Sequence, residues 1–367
     1  MTQAEPAQPP RVSVIIPARN EEACLGACLS ALASQTDITF EIIVVNDGST
    51  DRTREIAESF DGVQVIDARE LPSGWIGKNN ALVAGAAKAQ GQWLLFTDAD
   101  TTHLPGSLAK SIAEASRRRA ELLSYSPEQE VHGFWEKAVM PAIFAELAAT
   151  YRPSLVSDPR SPAAAANGQY LMISREAYDA IGGHALVAKD LLEDVALARA
   201  FKSSGRKIFF RYGGDAVRTR MYRSLPQLIE GWTKNLTLLF PAPLRLAALR
   251  ALEFVLIVVS ITIGVSAALH GRARLSILSG TLALVLLGAF LRRIRRAHFS
   301  WDCNVLSLFG LPLFSYLLCR SYISHKDGAV SWKGRTYRQG TGNDNRPRLS
   351  VATKPSKERN GLLNPQS

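Results

Sequence analysis

Short apolar runs alternate with stretches of helical period through the first third of the 367-residue chain. Val12 to Glu22 reads VSVIIPARNEE, an apolar strand that passes into Pro17, Ala18, Arg19 and Asn20 and then into acidic residues suited to a helix N-terminus. Glu41 to Asp51, EIIVVNDGSTD, has the same form. Its buried strand ends at Asn46-Asp47-Gly48-Ser49, and Thr50 or Asp51 caps a helix with Glu55 in its first turn. A further strand follows at Val63 to Ile66. This alternation predicts an α/β fold with a mostly parallel, Rossmann-like sheet and right-handed crossovers. The run Trp93-Leu94-Leu95-Phe96 predicts another buried strand, and only Thr97 separates it from Asp98-Ala99-Asp100.

Open α/β sheets bind ligands at the carboxyl ends of their strands, where the pattern places Asp47, Asp98 and Asp100. Two carboxylates one residue apart suit a hard divalent cation that keeps its other positions for water and for phosphate oxygens of a substrate. Taken alone, the pair reads equally well as two solvated turn aspartates. Between the carboxylate strands, Pro72 to Ala81 (PSGWIGKNNA) is a Gly-punctuated loop that opens a helix with Leu82, Val83, Ala86 and Ala87 at apolar positions. Free amides, the helix dipole and Lys78 attract an anion there, which makes Lys78 and Asn80 candidates for a diphosphate. The Walker spacing is absent, so a P-loop kinase or ATPase is excluded.

Lys189 to Ser203, KDLLEDVALARAFKS, has helical period and gathers Asp190, Glu193 and Asp194 within one turn. Crowded carboxylates raise one pKa towards a working value for a general base. The ordinary reading of the segment by itself is a helix N-terminus stabilised by acidic residues.

The segments VIIPARNEE, VVNDGSTD and FTDAD, in this order and spacing, resemble glycosyltransferase family 2, whose catalytic domain has the nucleotide-diphosphosugar fold called GT-A. The resemblance implies that Asp47 binds the base or ribose of a donor nucleotide, that Pro17 and Glu21 line the same pocket, and that Asp100 with Asp98 holds Mg or Mn on the diphosphate. It also implies a base at the Glu193-Asp194 pair, the second acidic residue being the usual one, with Glu193 orienting it or the acceptor. Ala163 to Ser174 (AAAANGQYLMIS), Arg175 to His184 (REAYDAIGGH), Val217 to Asn235 (VRTRMYRSLPQLIEGWTKN) and Val330 to Tyr337 (VSWKGRTY) narrow the likeness. With SGWIGKNNA they resemble the membrane-bound bacterial enzymes that glycosylate carotenoids, of the hydroxychlorobactene and diaponeurosporenoate glucosyltransferase type. Hopanoid-associated glycosyltransferases are a close second, and a ceramide-type acceptor is a further alternative. On that resemblance Gly168, Gln169, His184 and Trp232 fall on the acceptor side, while Arg220 and Arg223 clamp the leaving diphosphate or contact lipid headgroups. The Gln-x-x-Arg-Trp motif of processive synthases is missing, so addition of a single sugar fits better than polymerisation.

After Trp232 the composition changes towards long apolar runs. Leu252 to Leu269 and Leu275 to Leu291 each approach the length of a bilayer core and predict a transmembrane hairpin. Val305 to Cys319 is shorter and broken by Gly310 and Pro312, so it spans, re-enters or lies flat. Arg292, Arg293, Arg295 and Arg296 and the basic tail favour the cytoplasm, and an interfacial or re-entrant third segment keeps both there. Phe134 to Tyr151 and Leu236 to Leu249 look amphipathic, and the first also reads as a core helix.

The formal charge of +10 suits an anionic membrane surface and an anionic donor; no aromatic-basic motif points to nucleic acid. Cys24, Cys28, Cys303 and Cys319 form no metal-type quartet and fit a reduced, cytoplasmic state. MTQAEPAQPPR has no apolar signal core. The expected organisation is a disordered stretch 1–10, a GT-A catalytic domain 11–235, an interfacial helix 236–250, a transmembrane region 251–325 with its third segment near 303–319, a cytosolic segment 326–338 and a disordered tail 339–367. The expected protein is an inner-membrane, multi-pass, inverting glycosyltransferase. It would use a divalent cation to move one hexose, by resemblance glucose from UDP-glucose, to a lipid acceptor in the bilayer.

Overall fold

A computed structural model of the chain describes residues 11–328, 330–332, 335–339 and 349–352. The expected N-terminal stretch 1–10, Lys333 and Gly334 of the WKGRTY segment, and most of the tail lie outside the described residues.

Strands β1 (Val12–Ala18), β2 (Phe40–Asn46), β3 (Val63–Asp67) and β4 (Trp93–Phe96) alternate with helices α1 (Leu25–Ala33), α2 (Thr53–Glu58) and α3 (Gly77–Lys88). Next come β5 (Thr101–His103), α4 (Ser107–Arg118), β6 (Leu122–Ser126), β7 (Glu128–Gln129), α5 (Phe134–Thr150) and α6 (Pro153–Ser157). The α/β half closes with β8 (Leu171–Ser174), α7 (Arg175–Ala180), α8 (Gly183–Leu186), α9 (Glu193–Ser203), β9 (Ile208–Tyr212) and β10 (Val217–Thr219). The main sheet runs β3-β2-β1-β4-β8-β6-β9. β8 is antiparallel to both neighbours and the other pairings are parallel. Apolar side chains cover both faces, which is why β1 and β2 read as mainly apolar runs rather than alternating ones. This mostly parallel sheet with helices on each side is the expected GT-A architecture. A small second sheet, β5-β10-β7, sits beyond the end of β4.

The register aligns the strand ends. Ala18 faces Asn46 and Ile15 faces Phe96, so the residues following β1, β2 and β4 emerge at one edge.

The remaining helices are α10 (Leu225–Leu239), α11 (Pro243–Leu269), α12 (Ala273–Ile294), α13 (Trp301–Leu306) and α14 (Leu311–Lys326); β11 (Val330–Trp332), β12 (Arg335–Gln339) and β13 (Leu349–Ala352) pair antiparallel in that order. A 3-10 turn, Arg295–Ala297, follows α12. Residues 236–250 do not make the separate helix expected of them. They divide between α10 and α11, because Pro241 and Pro243 bracket the break and Pro243 opens the next helix, where its missing N–H costs nothing.

α11 and α12 are long and apolar enough to cross a membrane, by length and composition. Only 22% and 11% of their most apolar stretches are buried inside the protein, unlike core helices of a soluble domain. α14 has 16 residues, fewer than the roughly 20 a bilayer core demands, and buries Leu311, Phe314, Leu317 and Leu318 against α5, α10 and α11. Charges pin the hairpin to α5. Arg293 grips Glu253 with two bonds of 2.7 and 2.8 Å and approaches Glu146 at 3.2 Å, while Arg250 reaches Glu253 at 2.8 Å and Glu146 at 3.4 Å.

Gly310 marks a close approach between α5 and the segment leading into α14. A Cβ there would lie 1.9 Å from the Ala138 carbonyl oxygen, which is backbone and cannot swing aside. Gly310→Ala is expected to destabilise the protein by about 1–3 kcal/mol. Thermal unfolding of the purified variant checks this, and an unchanged midpoint would contradict the close packing.

Candidate active site

The loops after β1 and β2 are laced together across the sheet edge. Arg19 Nη1 donates to the Asp47 carbonyl at 2.7 Å, the Asn20 amide to Ser49 Oγ at 3.2 Å, and the Glu21 amide to Thr53 Oγ1 at 2.7 Å. Asn20 takes a left-handed conformation with φ 54°, which Asn tolerates, and its Oδ1 accepts from the Thr50 amide at 2.8 Å. The buried Asp47 carboxylate is held by both Nη atoms of Arg335, at 2.5 and 3.1 Å. Gly77 makes that approach possible, since a Cβ there would meet Arg335 Nη1 at 1.7 Å.

The turn beyond β4 is fixed through its carbonyls. Thr101 Oγ1 donates to the Asp98 carbonyl at 2.6 Å and Thr219 Oγ1 to the Asp100 carbonyl at 3.2 Å. Lys78, in the first turn of α3, places Nζ 2.8 Å from Asp98 Oδ1 and 2.8 Å from Glu193 Oε1. Burial works to lower the Lys78 pKa, but the two carboxylates outweigh it and hold the pKa well above the ordinary lysine value.

Asp194 accepts from the Gly168 amide at 2.8 Å and from its neighbour's, Val195, at 2.7 Å. Burial, reinforced by the charge of Glu193, pushes its pKa up to about 6 against the pull of Lys78 and the two amides. Gly168 sits where the groups converge: a Cβ there would lie 3.1 Å from Lys78 Nζ and 3.2 Å from Glu193 Oε1. Lys234 of α10 faces the same cluster, and burial lowers its pKa to about 8 although Glu193 opposes the shift.

Asp47, Lys78, Asp98, Asp100, Glu193, Asp194, Lys234 and Arg335 line one cavity of about 990 Å³. Among the described residues, no group of three or more His, Cys, Asp or Glu gathers to hold a metal. Asp98 and Asp100 are nonetheless hard oxygen donors on one wall, so this donor pair fits Mg or Mn with water and substrate oxygens completing the sphere.

Residues 13–195, ending one position past Asp194, match the family described as Glycosyl transferase family 2. The chain carries a glycosyltransferase family 2 domain. The 4,4'-diaponeurosporenoate glycosyltransferase of Staphylococcus aureus (strain USA300) is 33% identical over 232 residues, covering 62% of this chain and 60% of the relative. The chain thus spans about 60% of the length of the curated relatives it matches. Among solved structures, a mannosyltransferase from Pyrobaculum calidifontis in complex with GDP-Man and Mn²⁺ matches with TM-score 0.48 and 18% identity, over 86% of each chain. Glucosyl-3-phosphoglycerate synthase from Mycobacterium tuberculosis, in complex with Mn²⁺ and UDP-Glc, matches with TM-score 0.41 and 22% identity, over 60% of this chain and 74% of that one.

Within and just beyond the family 2 domain, Pro17, Glu21, Asp47, Lys78, Asp98, Asp100, Gly168, Gln169, Glu193, Asp194, Arg220, Arg223 and Trp232 all line the cavity. Asn80 and His184 are not among its lining residues. Asn80 Nδ2 donates to the Arg69 carbonyl at 2.7 Å, tying α3 to the loop before it. His184 is buried edge-on to Phe96 with Nδ1 3.0 Å from Tyr178 Oη, and burial pushes its pKa down to about 3. Gln169 spends its Nε2 on Thr219 Oγ1 at 3.1 Å, and Trp232 Nε1 donates to Met140 Sδ at 3.3 Å, so both act from the wall. Arg220 pairs with Glu136 at 3.5 Å. Lys234 is a further cavity cation, and its signal in the sequence is weak: a lysine two residues after Trp232 on a helix of mixed polarity.

Proposed function

We propose that the protein is an inverting, metal-dependent glycosyltransferase that moves one hexose, glucose from UDP-glucose, to a terminal hydroxyl or carboxyl of a lipid dissolved in the membrane. The observation that carries the reading is Lys78 bridging Asp98 and Glu193 at 2.8 Å each, which draws the strand-end carboxylates and the α9 carboxylates around one point. A scaffold that had lost catalysis would have no use for this convergence. The match to family 2 supports the reaction class, and the name of the Staphylococcus relative supports a carotenoid acceptor.

In this reading Asp47, Pro17 and Glu21 receive the nucleoside, while Lys78, Arg220 and Arg223 take diphosphate oxygens. Asp98 and Asp100 would hold Mg or Mn, which neutralises charge on the diphosphate when bound. The acceptor oxygen attacks the anomeric carbon from the side opposite the departing diphosphate, the new C–O bond forms as the old one breaks, and Asp194 takes the hydroxyl proton. One in-line displacement inverts the α-linked donor to a β-linked product. α11 and α12 serve as the membrane hairpin, with the catalytic domain on the cytoplasmic side.

Detergent-solubilised protein incubated with radiolabelled UDP-glucose and a carotenoid acid or alcohol tests the proposal, the expected result being labelled lipid. No transfer to any lipid with a well-folded preparation would reject it. The raised Asp194 pKa adds a pH signature. A base must be ionised to accept a proton, so turnover with a hydroxyl acceptor is expected to fall as pH drops through about 6. A profile flat from pH 5 to 8 would remove Asp194 from the role.

A further inference from the structure

The cavity is larger and more varied than a nucleotide-sugar needs. A donor of this kind is polar and anionic, and the wall that meets it carries Asp47, Lys78, Asp98 and Arg220. Another part of the lining is apolar, although Arg296 and Glu230 also border the cavity. Phe144, Leu147, Ala148 and Tyr151 recur along α5 at the spacing of a single helix face. Phe210 of β9 and Leu239 at the end of α10 line the cavity as well. The lining then reaches Ala297 and His298, at the turn that closes α12.

The two ends of this apolar arm are defined by contacts. At the inner end Tyr151 donates to the Leu239 carbonyl at 2.8 Å. Tyr151 and Asp194 line the same cavity, and burial raises the Tyr151 pKa against the pull of Arg199. At the outer end the rings of Tyr212 and His298 stack at 4.1 Å with 11° between planes. His298 follows Arg292, Arg293, Arg295 and Arg296, the basic end of an apolar helix and hence the headgroup level if α12 crosses a bilayer. The wall between is firm: Phe144 is held edge-on by Trp232 and by Phe299, each at 6.0 Å.

We propose that this arm is the acceptor site, loaded from the membrane at the end of α12 by a long, narrow apolar molecule that carries one terminal hydroxyl or carboxyl. The chain lies between α5 and β9 with its polar end at Asp194, and whatever length exceeds the arm stays in the bilayer. The fate of the terminal oxygen rests on the glycosyltransferase reading above, whereas occupancy of the arm does not.

The probe is a hexadecanol bearing a diazirine in its chain, photolysed with the full-length protein in nanodiscs, with adducts mapped by mass spectrometry. Adducts are expected on Phe144, Leu147, Tyr151 or Phe210 and should be competed by plain hexadecanol. Ala148→Trp fills the middle of the arm and is expected to cut these adducts about tenfold while UDP-glucose binding by calorimetry stays at the parental level. Ala148→Leu, a smaller plug that the fold accommodates more easily, should fall between. Adducts confined to the outward faces of α11 and α12, or arm adducts undiminished in a folded Ala148→Trp protein, would overturn the proposal. Arm labelling without hexose transfer would instead break the glycosyltransferase reading and leave the arm in place.

Discussion

Asp194→Asn is expected to lower single-turnover transfer to a hydroxyl acceptor by about 10²–10⁴-fold, with UDP-glucose binding nearly unchanged. An amide keeps the shape of the carboxylate but cannot take the proton that must leave as the glycosidic bond forms. It also loses one of the two backbone bonds, from Gly168 and Val195, that hold the carboxylate now. Donor binding by calorimetry and a thermal midpoint therefore accompany the rate, to separate lost chemistry from a disturbed 167–169 turn. Glu193→Gln should be milder, because its work is to hold Lys78 and to raise the Asp194 pKa. With a carboxylate acceptor, already ionised, the Asp194 substitution should cost far less. A larger effect from Glu193→Gln than from Asp194→Asn would reverse the assignment within the pair.

Asp100→Asn is expected to reduce transfer by about 10²–10³-fold and to make the residual rate insensitive to added Mn²⁺. Asp100 is the sharper test of the two strand-end carboxylates. Asp98 is paired with Lys78 in the structure, so replacing it also frees that lysine and disturbs Glu193. The backbone at Asp100 is held independently by Thr219, so the variant should keep its fold. Transfer within a few-fold of the parent, or parental activity that survives a chelator, would end the metal assignment.

The carboxylates on the sheet edge were legible because their causes are local. A buried strand is an apolar run, it ends where the run ends, and Asp47 follows such an end directly while Asp98 and Asp100 follow one within four residues. Asn80 and His184 looked equally functional, since a polar residue beside a motif gives no sign of where its side chain will bond. The structure turns both to internal carbonyl and hydroxyl partners. Lys234, and the pairing with Asp47 of Arg335, whose VSWKGRTY segment the resemblance had singled out, were hidden for the opposite reason. Their partners lie 41 and 288 positions away from them, at Glu193 and Asp47, and only the packing of α10 and β12 over the sheet edge brings them in. The break between α10 and α11 was in plain view as Phe240-Pro241-Ala242-Pro243, yet hydrophobic period alone runs through it.

The cluster of Glu146, Arg250, Glu253 and Arg293 has a consequence for how this sequence can drift. Each of its charges is largely screened from water, with side-chain exposures of 13 to 19%, and each is neutralised by residues on a different helix or a neighbouring turn. Losing one partner strands an opposite charge, which is far more damaging than replacing a matched pair with apolar residues of similar size. The four positions are therefore expected to vary together among descendants of this chain, through compensated double changes or a wholesale switch to an apolar junction, and single replacements should be purged.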